Sequence, residues 1–418
     1  MQIYLVGGAV RDSLLGLPVK DRDWVVVGAT PRQLVDWGFI PVGKDFPVFL
    51  HPRSKEQYAL ARTERKTAPG YRGFTVHAAP DVTLEQDLAR RDLTINAMAL
   101  AAEAITKDGS FDTLQAALSD PFHGRRDLER KLLRHVSDAF REDPVRILRV
   151  ARFAARFGDF TVAPETMDLM RAMVVQGEAA ALVAERVWQE LARGLMEATP
   201  SRMFGLLREC GALAVLLPEL DRLWRTPAQT GEHGQMSGCA GVYAMRALDL
   251  AAGQAASLPV RFACLFPPSA TGDGTTGVSE RIADLCQRLR APVECRELAE
   301  VCARECRHIQ TCMSLNAEAL VLLLERCDAF RKPARFADQL LVCECDARAQ
   351  AADQAALHPQ RSHMLSVLKA AQTVVTEIVA MRAQVAGMAG KQVGEMIRAA
   401  RVDAVAAMLQ NRNTQAQP

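Results

Sequence analysis

A strand, a Gly-Gly turn, a short helix, a glycine stop and a second strand follow one another within the first 27 residues, and this order constrains the fold more than any other feature of the chain. Ile3-Tyr4-Leu5-Val6 reads as a strand, and Gly7-Gly8 as a turn where backbone N–H groups can approach a phosphate. Residues 9–15 read as a helix stopped by Gly16. Asp21-Arg22-Asp23 then leads into the apolar run Trp24-Val25-Val26-Val27. Side chains alternate along a strand, so the two carboxylates of a D-x-D point the same way, about 7 Å apart, and can share metal ions. Alone, an Asp pair beside Lys20 also fits the solvated face of an edge strand, and a Gly-Gly also fits a plain tight turn. The whole order favours metal-assisted nucleotidyl transfer.

At 418 residues and 45.8 kDa the chain exceeds what one core organises, so two or more domains are expected. Its net charge is only +2, so any nucleic-acid footprint must be a local patch. No basic-then-apolar leader opens the chain, and no apolar run reaches the roughly 18 residues of a membrane span. A cytoplasmic protein without a membrane partner is the expectation. Eleven cysteines include no C-x-x-C and none before residue 210, so scattered buried thiols are expected and no metal is assigned to them.

Up to about Leu100 the sequence is strand-rich, with short runs at 3–6, 24–27, 48–50 and 74–77. From about Leu128 it has long helical periodicity rich in Ala, Leu, Arg and Glu. The fold class is therefore α+β, an α/β head followed by an all-helical remainder. Residues 101–126 read as a connector, residues 225–241 and 267–277 as loops, and residues 410–418 as a disordered tail.

Two further stretches carry chemistry. Arg90-Arg91-Asp92-Leu93-Thr94-Ile95-Asn96-Ala97 is too short to fix a helix or a strand; its arginines suit phosphate oxygens, and Asp92 and Asn96 suit ribose hydroxyls. A surface Arg pair with a capping Asp is the plainer reading. In Glu142-Asp143-Pro144-Val145-Arg146-Ile147-Leu148-Arg149-Val150-Ala151-Arg152-Phe153, Asp143 before Pro144 marks a helix start, and Arg146, Arg149 and Arg152 form one stripe. Such a stripe repels itself unless an anion lies against it; a triphosphate or a nucleic-acid backbone would serve. Asp143 beside Arg146 makes a donor–acceptor pair suited to a base edge. A solvated basic face is the alternative.

These motifs together resemble those of class II tRNA nucleotidyltransferases, the CCA-adding enzymes, of the bacterial type. The likeness is dense over residues 1–225 and traceable to the end, for instance at Leu285-Cys286-Gln287-Arg288-Leu289-Arg290. It implies a polymerase-β-like head (1–140), a helical neck that recognises the base (141–225), a helical body of degenerate HD type (226–325) and a tRNA-binding helical tail (326–418). It also implies addition of C, C and A to the 3′ end of tRNA from CTP and ATP without a nucleic-acid template. On this likeness Asp21 and Asp23 are catalytic and hold two Mg²⁺ ions for a two-metal nucleotidyl transfer, and Gly8 and Arg11 hold the triphosphate. Arg91 lies near sugar and phosphate, and Arg149 and Arg152 complete the phosphate pocket. Asp143 and Arg146 act as an amino-acid template: C and A offer the matching amine and ring nitrogen, whereas G and U would leave polar atoms unpaired. Residues 62–74 match the family's flexible loop.

Relatives of this type carry a His-Asp phosphohydrolase site in the body. Here no histidine is followed by aspartate, and Phe266-Pro267-Pro268-Ser269 stands about where that dipeptide belongs. Loss of that activity is the expectation. Residues 106–120 are longer than the family pattern. Two other functions compete: a poly(A) polymerase, disfavoured by Asp45 in Gly43-Lys44-Asp45-Phe46, and a non-catalytic tRNA-binding protein, disfavoured by the intact Asp21/Asp23 and Asp143/Arg146 pairs. The sequence leaves monomer and dimer open.

Overall fold

The structure is a computed structural model that describes residues 1–42, 48–66, 74–105, 117–227, 238–267, 275–351 and 358–415. The chain forms two compact units: Met1–Gly194 with Arg202–Leu216, and Leu195–Ser201 with Leu217–Pro418.

The first unit is built on a seven-stranded sheet. Its strands are β1 (Gln2–Val6), β2 (Asp23–Val27), β3 (Ile40–Val42), β4 (Val48–Leu50), β5 (Gln57–Leu60), β8 (Ala99–Ala101) and β9 (Leu118–Ser119), in the order β3-β4-β5-β2-β1-β8-β9. Strands β6 (Thr63–Lys66) and β7 (Phe74–His77) form a separate hairpin. β2 is central: it pairs antiparallel with β1 and parallel with β5, and Trp24, Val25 and Val26 are buried. Tyr58 of β5 stacks on Trp24 with ring centroids 5.5 Å apart. One sheet face packs Val6, Val25 and Ala99 against Val82 and Leu88. Leu88 lies in α3 (Leu84–Ala89), which starts at a capping box formed by Thr83 and Gln86.

Helix α1 (Gly8–Leu14) follows β1 directly, and α2 (Pro31–Asp36) follows β2. Helix α4 (Gly124–Glu129) packs on a 3₁₀ turn, Thr94–Asn96, so the stretch left open between helix and strand is neither. The supposed connector also contributes the last residue of β8 and all of β9 to the sheet. Two-residue strands such as β9 are held by their neighbours and carry no period of their own. Residues 106–116 of the long segment lie outside the described residues, as do 43–47, 67–73 of the loop resembling the family's flexible one, and Pro268 to Ala270.

Helix α5 (Val145–Arg156) begins where the sequence placed it: the Asp143 carboxylate accepts the Val145 N–H at 3.1 Å. Ten of its residues are buried. Phe153 and Phe157 stack on its far end, with centroids 6.2 Å apart. Helices α6 (Pro164–Val175) and α7 (Ala184–Leu195) follow.

The second unit is helical. Val293–Gln310 packs between Leu258–Ala263, Thr275–Leu289 and Pro333–Gln350, and Pro359–Gln372 packs on Lys391–Gln415. Two expectations are corrected here. Cys306 and Cys343 form a disulfide, because two long helices bring together cysteines separated by 37 residues, which sequence spacing does not reveal. Residues 410–415, read as a disordered tail, continue the last helix, where Arg412 bonds His363. Among the described residues no single helix is long and apolar enough to cross a membrane.

Candidate functional site

Asp23 opens β2 opposite Val6, the last residue of β1, beyond which Gly7 turns the chain at a φ of 70°. Asp21 precedes the strand, which corrects the reading of both aspartates as strand residues. The pairing partner ends at Val6, so β2 has no neighbour on that side before Asp23. The Asp23 carboxyl is pushed up from its ordinary value, first by burial and then by Asp21, while Arg91 pulls it down. It is exposed at the surface of the fold, so the shift reports protein packed against one side of the carboxyl rather than full enclosure. A carboxylate whose ionisation is opposed by a neighbouring carboxylate fits a hard divalent cation, which takes one or two carboxylates and completes its shell with water and phosphate oxygens.

Arg91 stands over the turn. A Cβ on Gly7 would come within 3.0 Å of its Nη1 and push the guanidinium aside a little, and the φ of 70° itself favours glycine there. Its Nη2 donates to Asp87 Oδ2 at 3.2 Å, while its Nε is buried without a partner among the described residues. Asp87 is fully buried and also holds Arg90 at 2.6 Å; burial raises its pKa, but the two arginines bring the net shift downward. A cation at Arg91, one of its donors unspent, thus flanks the turn and Asp23.

Gly8 and Arg11 are close, Arg11 Nη2 lying 3.4 Å from where a Gly8 Cβ would stand. Arg11 does not point to solvent. It is 3% exposed, bonds Asp12 Oδ1 through Nε at 2.9 Å and Nη2 at 2.8 Å, and donates through Nη1 to Asn96 Oδ1. It also lies over the Phe153 and Phe157 rings, at 5.1 and 5.3 Å. Burial lowers its pKa more than Asp12 restores it.

Arg149 and Arg152 of the stripe, and Arg156 beyond it, do face anions, but they belong to the protein. Arg149 Nε bonds Asp92 Oδ2 at 2.7 Å, Arg152 Nε bonds Glu190 Oε2 at 2.7 Å, and Arg156 Nη2 bonds Asp12 Oδ2 at 2.8 Å. Burial would raise the Asp92 pKa, but Arg149, Asn96 and the Leu93 N–H hold it well below the usual carboxylate range. Arg149 is raised in turn, chiefly by Asp92. Asp92 and Asn96, read as ribose ligands, are therefore spent on Arg149 and Arg11.

Asp143 and Arg146 each meet partners elsewhere in the fold. Arg146 donates to the carbonyls of Ala139 and Arg90, each at 2.5 Å. Asp143 is bound by both ends of the Arg186 guanidinium, Oδ1 by Nη1 at 2.9 Å and Oδ2 by Nη2 at 2.7 Å. Helix α7 thus supplies two residues that sequence reasoning missed, Arg186 and Glu190. Glu190 is 6% exposed between buried Val187 and Leu191, an acid at an apolar position of the helical repeat. That misplaced charge was the available signal.

The comparisons agree with this architecture. Residues 3–134 match the model of the poly A polymerase head domain, and residues 159–223 that of the "Probable RNA and SrmB- binding site of polymerase A". The multifunctional CCA protein of Variovorax paradoxus is 63% identical over 421 residues, covering 98% of this chain and 100% of the relative. That of Paracidovorax citrulli is 63% identical, covering 97% of each. The chain belongs to the bacterial CCA-adding enzymes. Its family makes it a CCA tRNA nucleotidyltransferase and implies a divalent metal. Solved family folds resemble it at lower identity. A CCA-adding enzyme with ATP matches at TM-score 0.62 and 18% identity, covering 97% of this chain and 86% of the other. The Thermotoga maritima CCA-adding enzyme complexed with tRNA matches at 0.62 and 19%, covering 97% and 87%. In this CCA-adding family member, the first unit brings Asp21, Asp23, Gly8, Arg11 and Arg91 around the β1–α1 turn and its neighbours. Asp143, Arg146, Arg149 and Arg152 are held on and before α5, each by an internal partner.

Proposed function

We propose that the protein adds C, C and A to the 3′ end of tRNA from CTP and ATP in the cytoplasm, without a nucleic-acid template. The observation that carries this reading is the Asp21/Asp23 pair beside the Gly7-Gly8 turn and Arg91, in a chain alike over its whole length to multifunctional CCA proteins. On this reading Asp21 and Asp23 hold Mg²⁺, which when bound lowers the pKa of the terminal 3′-hydroxyl and offsets the charge of the departing pyrophosphate. The chain's own residues bind and orient. The turn N–H groups at Gly8 and the guanidinium of Arg91 receive phosphate oxygens. Arg11, Arg149 and Arg152 reach the triphosphate by exchanging internal acids for it.

Asp143 accepts from the exocyclic amine of C or A, and Arg146 gives up a backbone carbonyl to donate to the ring nitrogen. Residues 1–140 act as head, 141–225 as neck, 226–325 as body and 326–418 as tail, the last holding tRNA. The phosphohydrolase of HD-bearing relatives is lost. In support, Phe262 and Phe266 pack edge to face at 5.3 Å beside Pro267, about where such relatives carry the His-Asp dipeptide.

The test uses purified protein, tRNA lacking its 3′ end, Mg²⁺ and single nucleotides. Incorporation should stop after C-C-A, and Asp23→Ala or Asp21→Ala should lower its rate at least about a hundredfold. Full-speed repair by either variant would overturn the assignment; long A-tailing would favour a poly(A) polymerase, and no incorporation a tRNA-binding protein.

A further inference from the structure

Asn96 lies under the Gly7-Gly8 turn, its carbonyl oxygen 3.8 Å from where a Gly7 Cβ would stand. It is 6% exposed, between Arg11 at 3% and Asp92 at 5%. Its carboxamide oxygen accepts from Arg11 Nη1, and its Nδ2 donates to Asp92 Oδ1 at 3.0 Å. A guanidinium has no acceptor and an ionised carboxylate no donor, so the two neighbours dictate which way the amide faces. The contacts continue on both sides. Asp92 Oδ2 holds Arg149 at 2.7 Å, and Arg11 is held by Asp12, whose other oxygen takes Arg156 at 2.8 Å. Arg149 and Arg156 stand about two turns apart on α5, so the circuit leaves that helix, passes through one amide and returns to it.

Neither the shape nor the polarity of this side chain can be exchanged without breaking the circuit. Aspartate has the same shape but two acceptors: it would still meet Arg11, yet would set a second carboxylate against Asp92. Leucine would leave both buried neighbours unmet. The 3₁₀ turn also gives the amide little freedom to move. The Thr94 N–H is fixed to the Arg134 carbonyl at 2.9 Å and its hydroxyl to Asp127 Oδ2 at 2.8 Å, while the Asn96 N–H returns to the Leu93 carbonyl at 2.9 Å. The Leu93 N–H and the Asn96 amide share Asp92 Oδ1, at 2.8 and 3.0 Å. With Arg149 turned away, these two donors still hold the carboxylate.

We propose that Asn96 is a positioning residue for nucleotidyl transfer: its amide sets Arg11 and Arg149 at a fixed separation for the incoming triphosphate and keeps Asp92 in place while Arg149 turns to phosphate. The proposal rests on the reading above that both arginines reach the triphosphate. Asn96 acts through its neighbours and touches no reacting atom. Loss of its donor lets the Asp92 carboxylate turn, and Arg149 follows the acid to which it is bound.

The test is steady-state incorporation of CTP into tRNA lacking its 3′ end, by the full-length protein, with the denaturant midpoint of each variant measured alongside. Asn96→Asp keeps the shape and the Arg11 contact while removing the donor to Asp92. It should raise the KM for CTP about tenfold, with kcat within about threefold and the KM for tRNA unchanged. A merely structural role would lower the active fraction, and with it the apparent kcat, and leave KM alone. In an Arg149→Ala background, Asn96→Asp should add less than about twofold, because the path from the amide to the triphosphate is already cut. In the unaltered protein, the Asn96 carboxamide NMR signals should shift on adding CTP as Arg11 turns from the oxygen, a readout that needs no variant to fold. A wild-type KM for CTP in Asn96→Asp, full additivity with Arg149→Ala, or carboxamide signals unmoved by saturating CTP would overturn the proposal. If Arg11→Ala and Arg149→Ala both left the KM for CTP unchanged, the underlying reading of the triphosphate pocket would fall instead.

Discussion

The Asp143 carboxylate offers about four lone-pair sites. Oδ1 takes the Val145 N–H and Arg186 Nη1, and Oδ2 takes Arg186 Nη2, so about one site, on Oδ2, remains for a ligand. On the CCA reading that site meets a single exocyclic amine, and Arg186 fixes where it points. Arg186→Ala should lower kcat/KM for CTP and ATP about tenfold or more and raise the share of UTP and GTP misincorporated. Arg186→Lys should recover only part of the discrimination, because a point charge cannot reproduce a two-pronged contact. Single-nucleotide incorporation assays check both, and unchanged discrimination in Arg186→Ala would reduce Arg186 to a structural role. The start of α5 was legible because Asp-Pro followed by an apolar repeat is a local signal. The partners of its arginines were not, since Arg152 meets Glu190 38 positions away and Asp143 meets Arg186 43 positions away. A residue's type predicts that it seeks an opposite charge; only the fold says which one.

At the scale of elements, the head depends on close backbone approaches. Gly124 opens α4 against the Thr94–Asn96 turn, the turn that carries Asn96 to Arg11. A Cβ on Gly124 would come within 2.8 Å of the Thr94 carbonyl carbon and 2.9 Å of Met98 Cγ. Neither the turn nor the sheet behind it can give way cheaply. Gly124→Ala should therefore destabilise the protein by about 1–3 kcal/mol, read as a lowered denaturant midpoint with an unchanged slope. A wild-type midpoint would show that α4 can slide. Strands such as β4 and β7 were readable from their short apolar alternation, and β9 was not, because two residues carry no period. Asp21 was misplaced for a related reason: alternation suggested a strand, while the extent of β2 is set by where β1 ends.

For the molecule as a whole, stability at neutral pH carries a penalty from one interior acid. Asp346 is 3% exposed; Gln310 and Gln350 donate to its Oδ2 at 3.1 and 2.9 Å, and Oδ1 is buried without a partner among the described residues. Burial pushes its carboxyl up from 3.8 to about 6. The folded form therefore binds the proton more tightly than the unfolded one, so the favourable contribution is complete below pH 3.8 and is lost as pH rises through about 6. A shift of about two units is on the order of 3 kcal/mol. Asp346→Asn should raise the thermal midpoint at pH 7.5 and flatten its fall between about pH 4 and 6. An unchanged pH profile would show that the carboxyl titrates alike in the folded and unfolded chain. The helical second unit was legible from periodicity, yet its polar interior was not, because a glutamine on one helix and an aspartate and a glutamine on another look like surface until packing turns them inward.

The arginines on α5 already rest on acids and carbonyls supplied by their own chain. At Arg149, Arg152 and Arg156 a visiting polyanion therefore meets charges already balanced by acids; it must displace resident counter-ions, and each returns when the visitor departs. On the proposed reaction, the enzyme must discharge pyrophosphate and reload three times on one tRNA. An exchange of this kind keeps the holding strength modest, so release remains quick enough for the next round.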